Sequence, residues 1–161
     1  MAKIKFLILH CTATPEGREV SKDDIVKWHT SPVAKGGRGW SKCGYSDLIQ
    51  LDGSLVNITP YNSDDDIEAW ELTNGAIGTN QFSRHIVYSG GCTKDGKKAK
   101  DTRTKEQLLA MTNYVKQVVA AYPNILVAGH NQFAAKACPS FDVVEWLKSI
   151  GISSKNIYKY K

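Results

Sequence analysis

The feature that most constrains the fold of this 161-residue chain is a long amphipathic segment followed at once by a short apolar one. Residues 102–122 predict a helix that ends before Pro123, because proline cannot continue a helix. The next segment, NILVAGH, predicts a buried strand that ends at His130. Such alternation is typical of an α/β layer architecture. The apolar stripe of the predicted helix consists of Leu108, Leu109, Met111, Val115, Val118 and Val119.

Further segments extend this pattern towards both ends of the chain. Residues 3–10 and residues 84–89 predict two more apolar strands, the second of which is followed by a Gly-Gly pair. The run SFDVVEWLKSIG predicts a final amphipathic helix. Residues 63–80 mix acidic residues, Asn and Gly without periodicity, and we expect a long surface segment there.

Local signals predict the remaining elements. Ser21 stands three positions before Asp24, which is a capping-box pattern at the start of a helix that carries Ile25 and Trp28. The run GYSDLIQLDGSLVNI predicts a hairpin around its Asp-Gly pair, and a hairpin supplies an antiparallel pair of strands. We therefore predict a single α/β domain over residues 1–161, with a mixed central β-sheet flanked by helices.

The N-terminus, MAKIKFLILH, imitates a secretion signal only superficially. Its apolar run, residues 4–9, is shorter than the ~7 to 15 residues of a signal-peptide core and runs into His10. No apolar run approaches the ~20 residues that a membrane span needs. We expect no signal peptide, no membrane insertion and synthesis in the cytoplasm.

The formal net charge of +5 favours an anionic partner, such as nucleic acid or an anionic bacterial wall. Nucleic-acid binding would need a dense basic stripe with aromatic residues. The only basic cluster, residues 94–103, is interrupted by two aspartates, so we expect a solvated loop there and no nucleic-acid partner. The four cysteines are scattered without a CxxC pair, which predicts reduced thiols rather than a disulfide framework.

Three residues form a candidate site near the ends of two predicted strands. His10 and His130 end these strands, where α/β sheets usually carry their chemistry, and Cys138 follows His130 by eight positions. Two imidazoles and one thiolate would leave a fourth zinc position open for water, which is typical of catalytic zinc. The spacing alone leaves three interpretations open: a metal site, a thiol nucleophile with a histidine base, or a plain buried loop.

Several motifs, in this order, resemble those of the zinc-dependent N-acetylmuramoyl-L-alanine amidases. This type 2 amidase family includes amidase-type phage lysozymes and the related peptidoglycan recognition proteins. The motifs are ILHCTAT, WH, RGW, GY, IQLDGSL and KACPSFD, and the resemblance covers about residues 4–147. The runs TNGAIGTNQFSRHIVYSGG and GKKAKDTRTKEQ resemble Bacteroides-type members more closely still.

The resemblance implies specific roles for five residues. It implies that His10, His130 and Cys138 bind Zn²⁺. It also implies that Tyr45 and Lys136 are catalytic and donate to the oxyanion that develops when a zinc-activated water attacks the amide. The bond broken would join the lactyl group of N-acetylmuramic acid to L-alanine, so the implied partner is bacterial peptidoglycan.

Two places depart from the family pattern. The family commonly has His-Phe after the Gly-Tyr motif, whereas this chain has Ser46 and Asp47, which alters a strand face near the site. Trp70 and Glu71 stand near a position where the family often has histidine, so a contact in the substrate pocket is expected to differ.

Four other residues have chemically versatile side chains but are expected to have structural roles or to line a groove. We expect His29 to pack on its helix against the sheet, and His85 to lie in the core or a groove wall rather than bind metal. Cys11 should point to the sheet face opposite His10 because strand side chains alternate, and should be buried there. Trp40 belongs either to the core or to a groove rim.

The main functional prediction is a monomeric wall amidase that reaches the cell wall after release or delivery. The alternative is a non-catalytic peptidoglycan-binding module, since family members that lack the cysteine ligand bind wall fragments without cutting them. The presence of Cys138 argues against that alternative. A cysteine peptidase fits less well, because Cys138 precedes Pro139 in a loop rather than beginning a helix that would lower the pKa of its thiol.

Overall fold

In the computed structural model, which describes residues 1–160, short β-strands alternate with α-helices along the chain. Lys161, the last residue of the predicted domain, lies outside the described residues. The strands are β1 (Ala2–Lys3), β2 (Phe6–Cys11), β3 (Thr14–Pro15), β4 (Asp47–Ile49), β5 (Leu55–Asn57), β6 (Asp66–Ile67), β7 (Ser83–Tyr88), β8 (Gly91–Cys92) and β9 (Leu126–Gly129). The α-helices are α1 (Lys22–Thr30), α2 (Lys105–Ala121) and α3 (Val143–Ser149). Single 3-10 turns occur at Val33–Lys35, Asn80–Phe82, His130–Gln132 and Ser154–Asn156.

The central sheet has five strands in the order β5-β4-β7-β2-β9. Strand β2 lies in the middle of a parallel set, pairing with β7 on one side and β9 on the other. Strand β4 is parallel to β7, and β5 is antiparallel to β4 at the edge, which is the predicted hairpin. The α/β fold class with a mixed central sheet and flanking helices is therefore confirmed.

The predicted N-terminal strand is divided into two pieces. Lys3 belongs to β1, which pairs with β6 in a separate two-stranded sheet, and the central strand begins only at Phe6. The backbone N–H of Ile4 donates to the Asp65 carbonyl oxygen at 2.7 Å, so the first residues pair away from the main sheet. A second two-stranded sheet joins β3 to β8 beyond the ends of β2 and β7.

The helices cover both faces of the sheet. Helices α2 and α3 pack on one face, where Met111 and Leu147 are fully buried against strand residues such as Leu9. Helix α1 packs on the other face, where Ile25 joins a smaller cluster with Leu48. None of the helices in residues 1–160 has the length and apolar character needed to cross a membrane.

Helix α2 is capped as its sequence suggests, but its buried face differs from the predicted stripe. The Thr104 hydroxyl accepts a hydrogen bond from the Gln107 backbone N–H at 3.0 Å. The side-chain oxygen of Gln107 accepts one from the Thr104 backbone N–H at 2.9 Å. Leu109, predicted in the apolar stripe, is 64% exposed, so that part of the prediction is wrong. Gln107 takes a core position instead, because its amide donates to the carbonyl oxygens of Ile49 and Ser89.

The other two helices begin at side-chain caps. Ser21 and Asp24 form the predicted capping box of α1, with hydrogen bonds of 3.1 Å and 3.0 Å. Asp142 accepts the N–H of Glu145 at 3.1 Å and begins α3. The loops that follow Cys11 and Gly129 at the end of the sheet therefore finish at helices whose first residues are set by these side-chain caps.

The segment 63–80 is not simply a surface loop, and that prediction is wrong in part. It contains β6, and Glu71 is buried with its carboxylate accepting the N–H groups of Asn62 and Glu68 at 2.8 Å each. These bonds satisfy backbone N–H groups that have no partner in a helix or a strand. Since the segment is ordered by irregular contacts, it lacks the periodicity that would have predicted its burial.

Candidate metal centre and cleft

His10 and His130 meet because they lie at the same end of two neighbouring parallel strands. The register aligns Leu9 of β2 with Gly129, the last residue of β9, and the next residue in each segment is a histidine. The centroids of the two imidazole rings are 4.7 Å apart. The carboxyl ends of these strands thus form the predicted chemical edge of the sheet.

Cys138 is brought to this edge by the loop that follows His130. Tyr88 donates its hydroxyl to the Pro139 carbonyl oxygen at 2.7 Å, and Ser140 donates to the Gly91 carbonyl oxygen at 2.9 Å. These bonds attach the loop to the ends of β7 and β8. The sulfur consequently lies above β2, 3.8 Å from His10 Nδ1.

The three predicted ligands form a group that could hold a metal ion. One donor atom each from His10, His130 and Cys138 lies within 4.8 Å of the others. Donor atoms bound to one tetrahedral zinc ion lie roughly 3.3 to 3.8 Å apart, given bond lengths of about 2.0 to 2.3 Å. The donor types match those of zinc, and the spacing fits one ion after small side-chain movements.

Both histidines have the protonation state that a metal requires. Burial, together with the neighbouring imidazoles of His85 and His130, lowers the pKa of His10 well below its usual range. Burial and then the charge of Lys136 lower the pKa of His130. Both rings are therefore neutral near pH 7, and a neutral imidazole has a free lone pair to bind a metal ion.

The sulfur of Cys138 lies between His10 and Cys11. The thiol of Cys11 and burial raise the pKa of Cys138 well above its usual range, while the hydrogen bond from Cys138 lowers the pKa of Cys11. The hydrogen-bond contacts of its sulfur are to His10 Nδ1 and to the backbone of Cys11, whose N–H donates to it at 3.3 Å. A bound cation would deprotonate this thiol.

Tyr45 and Lys136 both line the same cleft as His130 and Cys138. The Tyr45 ring lies 5.0 Å from the His10 ring, and burial followed by the nearby Cys138 raises the pKa of its phenol. Tyr45 is therefore a protonated donor at neutral pH. Lys136 is exposed in the loop between two of the ligands, where its charge helps to lower the pKa of His130.

The cleft beside the ligand group has a volume of about 280 Å³. Its lining includes Trp40 and Arg38, whose guanidinium lies 5.0 Å over the indole ring. Residues 74–77 also line the cleft, and Ile77 there is 98% exposed. Lys136 is a further lining residue. Trp40, which the sequence left between core and groove rim, is half-buried in the cleft wall.

His29 contributes to the cleft, although the sequence predicted a packing role. Its Nδ1 accepts the Gly44 N–H at 2.9 Å, and its ring lies 5.2 Å from that of Tyr45. Burial and the charge of Arg38 lower the pKa of His29 to about 4. His29 is thus buried on helix α1, and it also supports the segment that carries Tyr45.

His85 is buried, as the sequence predicts, but its contacts with His10 and Asn80 are not evident from the sequence. His85 Nδ1 lies 2.9 Å from His10 Nε2, and His85 Nε2 lies 3.0 Å from Asn80 Oδ1. His85 pairs in register with Ile8, so it lies on the same sheet face as His10. Strand parity could have indicated this contact once β2 and β7 were taken as neighbours. Cys11, by contrast, is buried in the core, as expected.

The two departures from the family pattern have different places in the structure. Ser46 is buried beside the site, where its N–H donates to the His85 carbonyl oxygen at 2.8 Å. Asp47 points away from the cleft and accepts the hydroxyls of Tyr61 and Tyr114 at 2.5 Å and 2.7 Å. Glu71 is a structural carboxylate, so it is not a substitute for a cleft histidine.

Together, the fold and the site define an α/β protein with a His-His-Cys group beside a cleft. Residues 1–141 match the family profile described as N-acetylmuramoyl-L-alanine amidase. The chain therefore belongs to the N-acetylmuramoyl-L-alanine amidase family, and it is an enzyme of that activity. The family and the enzyme class predicted from the motifs are confirmed. The closer resemblance to Bacteroides-type members stays a prediction.

Known proteins of similar sequence and structure agree with this assignment. The endolysin of Enterobacteria phage K11 is 27% identical, over 92% of this chain and 94% of its own. The endolysin of Escherichia phage T7 is 26% identical, over 91% of this chain and 92% of its own. The solved N-acetylmuramoyl-L-alanine amidase LysC from Clostridium intestinale URNW has the same fold, with a TM-score of 0.69 at 19% identity over 94% of this chain and 87% of its own.

Proposed function

We propose that the protein is a zinc-dependent amidase that cleaves the bond between the lactyl group of N-acetylmuramic acid and L-alanine in peptidoglycan. The observation that carries the proposal is the group of His10, His130 and Cys138, whose donor atoms lie within 4.8 Å of one another beside a cleft that His130 and Cys138 line. Three protein ligands leave a position open for substrate or water, as catalytic zinc requires.

In this mechanism His10, His130 and Cys138 would hold the ion with two neutral imidazoles and one thiolate. Zinc in this position would supply a Lewis acid for the amide carbonyl and a hydroxide nucleophile near neutral pH. The raised pKa of the free Cys138 thiol means that metal binding would release a proton from it. The affinity for zinc should therefore decrease as the pH falls.

Tyr45 and Lys136 would stabilise the charge that develops on the amide oxygen. Tyr45 keeps its proton because burial raises the pKa of its phenol, so it would donate a hydrogen bond to the oxyanion. Lys136 is exposed at the cleft wall and would bring an ammonium to the same oxygen. Neither residue is a member of the group that could hold the metal ion.

The relatives also suggest how the enzyme meets its substrate. Several relatives that cover more than 90% of the chain are phage endolysins, and we infer the same setting here, with the wall reached after release from the cell. The net charge of +5 would favour binding to an anionic wall. The intact Cys138 favours a catalytic enzyme over a module that only binds peptidoglycan.

The decisive experiment is metal analysis combined with digestion of purified peptidoglycan. We expect about one zinc per chain, new L-alanine amino termini in the digest and no new reducing sugar ends. Activity should disappear with a chelator and return when zinc is added. A tag-free folded protein that remains without metal after zinc incubation, yet digests the wall, would contradict zinc catalysis.

A further inference from the structure

A buried chain of hydrogen bonds runs from His10 away from the cleft, through His85 to Asn80. His10 Nε2 and His85 Nδ1 are 2.9 Å apart, and His85 Nε2 is 3.0 Å from Asn80 Oδ1. Both imidazoles have no exposed surface. Each ring nitrogen in such a chain must act either as a donor or as an acceptor, so one fixed partner determines the others.

The fixed partner is the backbone N–H of Ala76, which donates to Asn80 Oδ1 at 2.9 Å. Only the carbonyl oxygen of an Asn side chain can accept this bond, so His85 Nε2 must carry the proton that it donates to the same oxygen. A neutral imidazole has one N–H, which leaves His85 Nδ1 as an acceptor. His10 Nε2 must then be the donor. Its Nδ1, 3.8 Å from Cys138 Sγ, is left with a free lone pair.

The packing around His85 holds its ring in this orientation. A Cβ atom on Gly75 would lie 2.3 Å from His85 Cγ, so only glycine allows the segment 74–80 to cover the ring so closely. The backbone of His85 is held as well, because the Ser46 N–H donates to its carbonyl oxygen at 2.8 Å.

We propose that His85 and Asn80 are positioning residues that hold His10 as the Nε2–H tautomer, with Nδ1 free to bind the metal ion. This proposal rests on the proposed function, because it takes His10 as a ligand. A hydrogen-bonded partner of a metal-binding histidine orients the ring and increases its basicity. The neutral imidazole of His85 would orient His10 in this way without adding a negative charge to a site that would already contain the Cys138 thiolate.

The test begins with the metal-free protein, where ¹⁵N chemical shifts distinguish protonated from bare ring nitrogens. In the wild type, His10 should be protonated at Nε2 and bare at Nδ1. The His85→Phe variant keeps a ring but has no acceptor, so His10 should lose its single tautomer and the affinity for zinc should fall about 10- to 100-fold. The His85→Asn variant restores an acceptor oxygen near the position of Nδ1 and should recover most of both properties.

Two outcomes would overturn the proposal. One is a wild-type His10 that carries its proton on Nδ1, and the other is a folded His85→Phe protein with unchanged tautomer and zinc affinity. If His85→Phe does not fold, Asn80→Leu removes the outer acceptor from a half-buried position and should shift the His10 tautomer in the same direction. The His10 tautomer is measured without metal, so that measurement tests the hydrogen-bond chain by itself. A wild-type protein that binds no zinc would instead contradict the proposed function.

Discussion

At the scale of single residues, Cys138 separates metal catalysis from thiol catalysis. Its sulfur lies 3.8 Å from His10 Nδ1 and accepts the Cys11 N–H at 3.3 Å. We expect Cys138→Ser to lose most of its zinc as well as its activity, because a hydroxyl is a poor ligand beside a thiolate. Zinc content, circular dichroism and amide hydrolysis measured together would check this.

A matched cysteine variant controls for nonspecific loss. Cys92 is half-buried in β8 and outside the ligand group, so Cys92→Ser should keep both zinc and activity. A cysteine peptidase would behave differently. Its activity would survive a chelator but not a thiol-alkylating reagent, and that pattern in the wild type would refute the zinc mechanism.

The two proposed oxyanion donors should affect turnover without affecting metal binding. Lys136→Ala and Tyr45→Phe should each keep zinc and fold, and should slow hydrolysis by about 100- to 1000-fold, which is typical of losing one oxyanion donor. Single-turnover hydrolysis of a soluble muropeptide would measure this effect. Full activity of Lys136→Ala would remove the role of the lysine and leave Tyr45 as the only side-chain donor proposed.

At the scale of elements, Gln107 connects the start of helix α2 to the ends of two strands. Its amide donates to the carbonyl oxygens of Ile49 and Ser89, and its side chain also completes the helix cap. Gln107→Ala should cost about 2 to 4 kcal/mol in the free energy of unfolding, because buried acceptors lose their donors and a cap is lost. Leu109→Ala on the exposed face should change it by less than about 0.5 kcal/mol. Urea denaturation of both variants would measure the difference, and equal losses would contradict this assignment of faces.

Element boundaries were predictable where the signal is local. The capping box of α1 involves Ser21 and Asp24, which are three residues apart, and the hairpin turn has Gly53 at a φ of 85°, where glycine is favoured. The buried face of α2 was predicted less well, because hydrophobicity alone placed Leu109 inward and gave no sign that Gln107 would find two carbonyl partners across the sheet. Tertiary hydrogen bonds decided that face.

At the scale of the whole molecule, His29 should make stability depend on pH. Burial and Arg38 lower the pKa of His29 to about 4, whereas an unfolded histidine titrates near ~6.5. As the pH falls, the unfolded state therefore binds a proton at a higher pH than the folded state does. The contribution of neutral His29 to the free energy of unfolding is complete above pH ~6.5 and is lost as the pH falls towards 4. The slope from this residue should be about 1 kcal/mol per pH unit between these values.

Urea denaturation of the chelated protein between pH 7 and pH 5 would measure this slope. His29→Asn keeps an acceptor for the Gly44 N–H but does not titrate, so its stability should change less over the same range. Parallel pH dependence in the two proteins would show that His29 is not the source. Chelation is needed because metal binding would add its own pH dependence.

The sequence by itself determined the α/β class, the mixed sheet, the family and the ligand candidates, because periodicity, caps and motifs are read over short stretches of chain. Only the tertiary structure decided what lies beside those ligands. His10 and His85 are 75 positions apart and meet because β2 and β7 pair in register, and Asn80 reaches them through an irregular segment without periodicity. Contacts of that kind depend on strand order and on buried polar bonds, which local sequence signals do not specify.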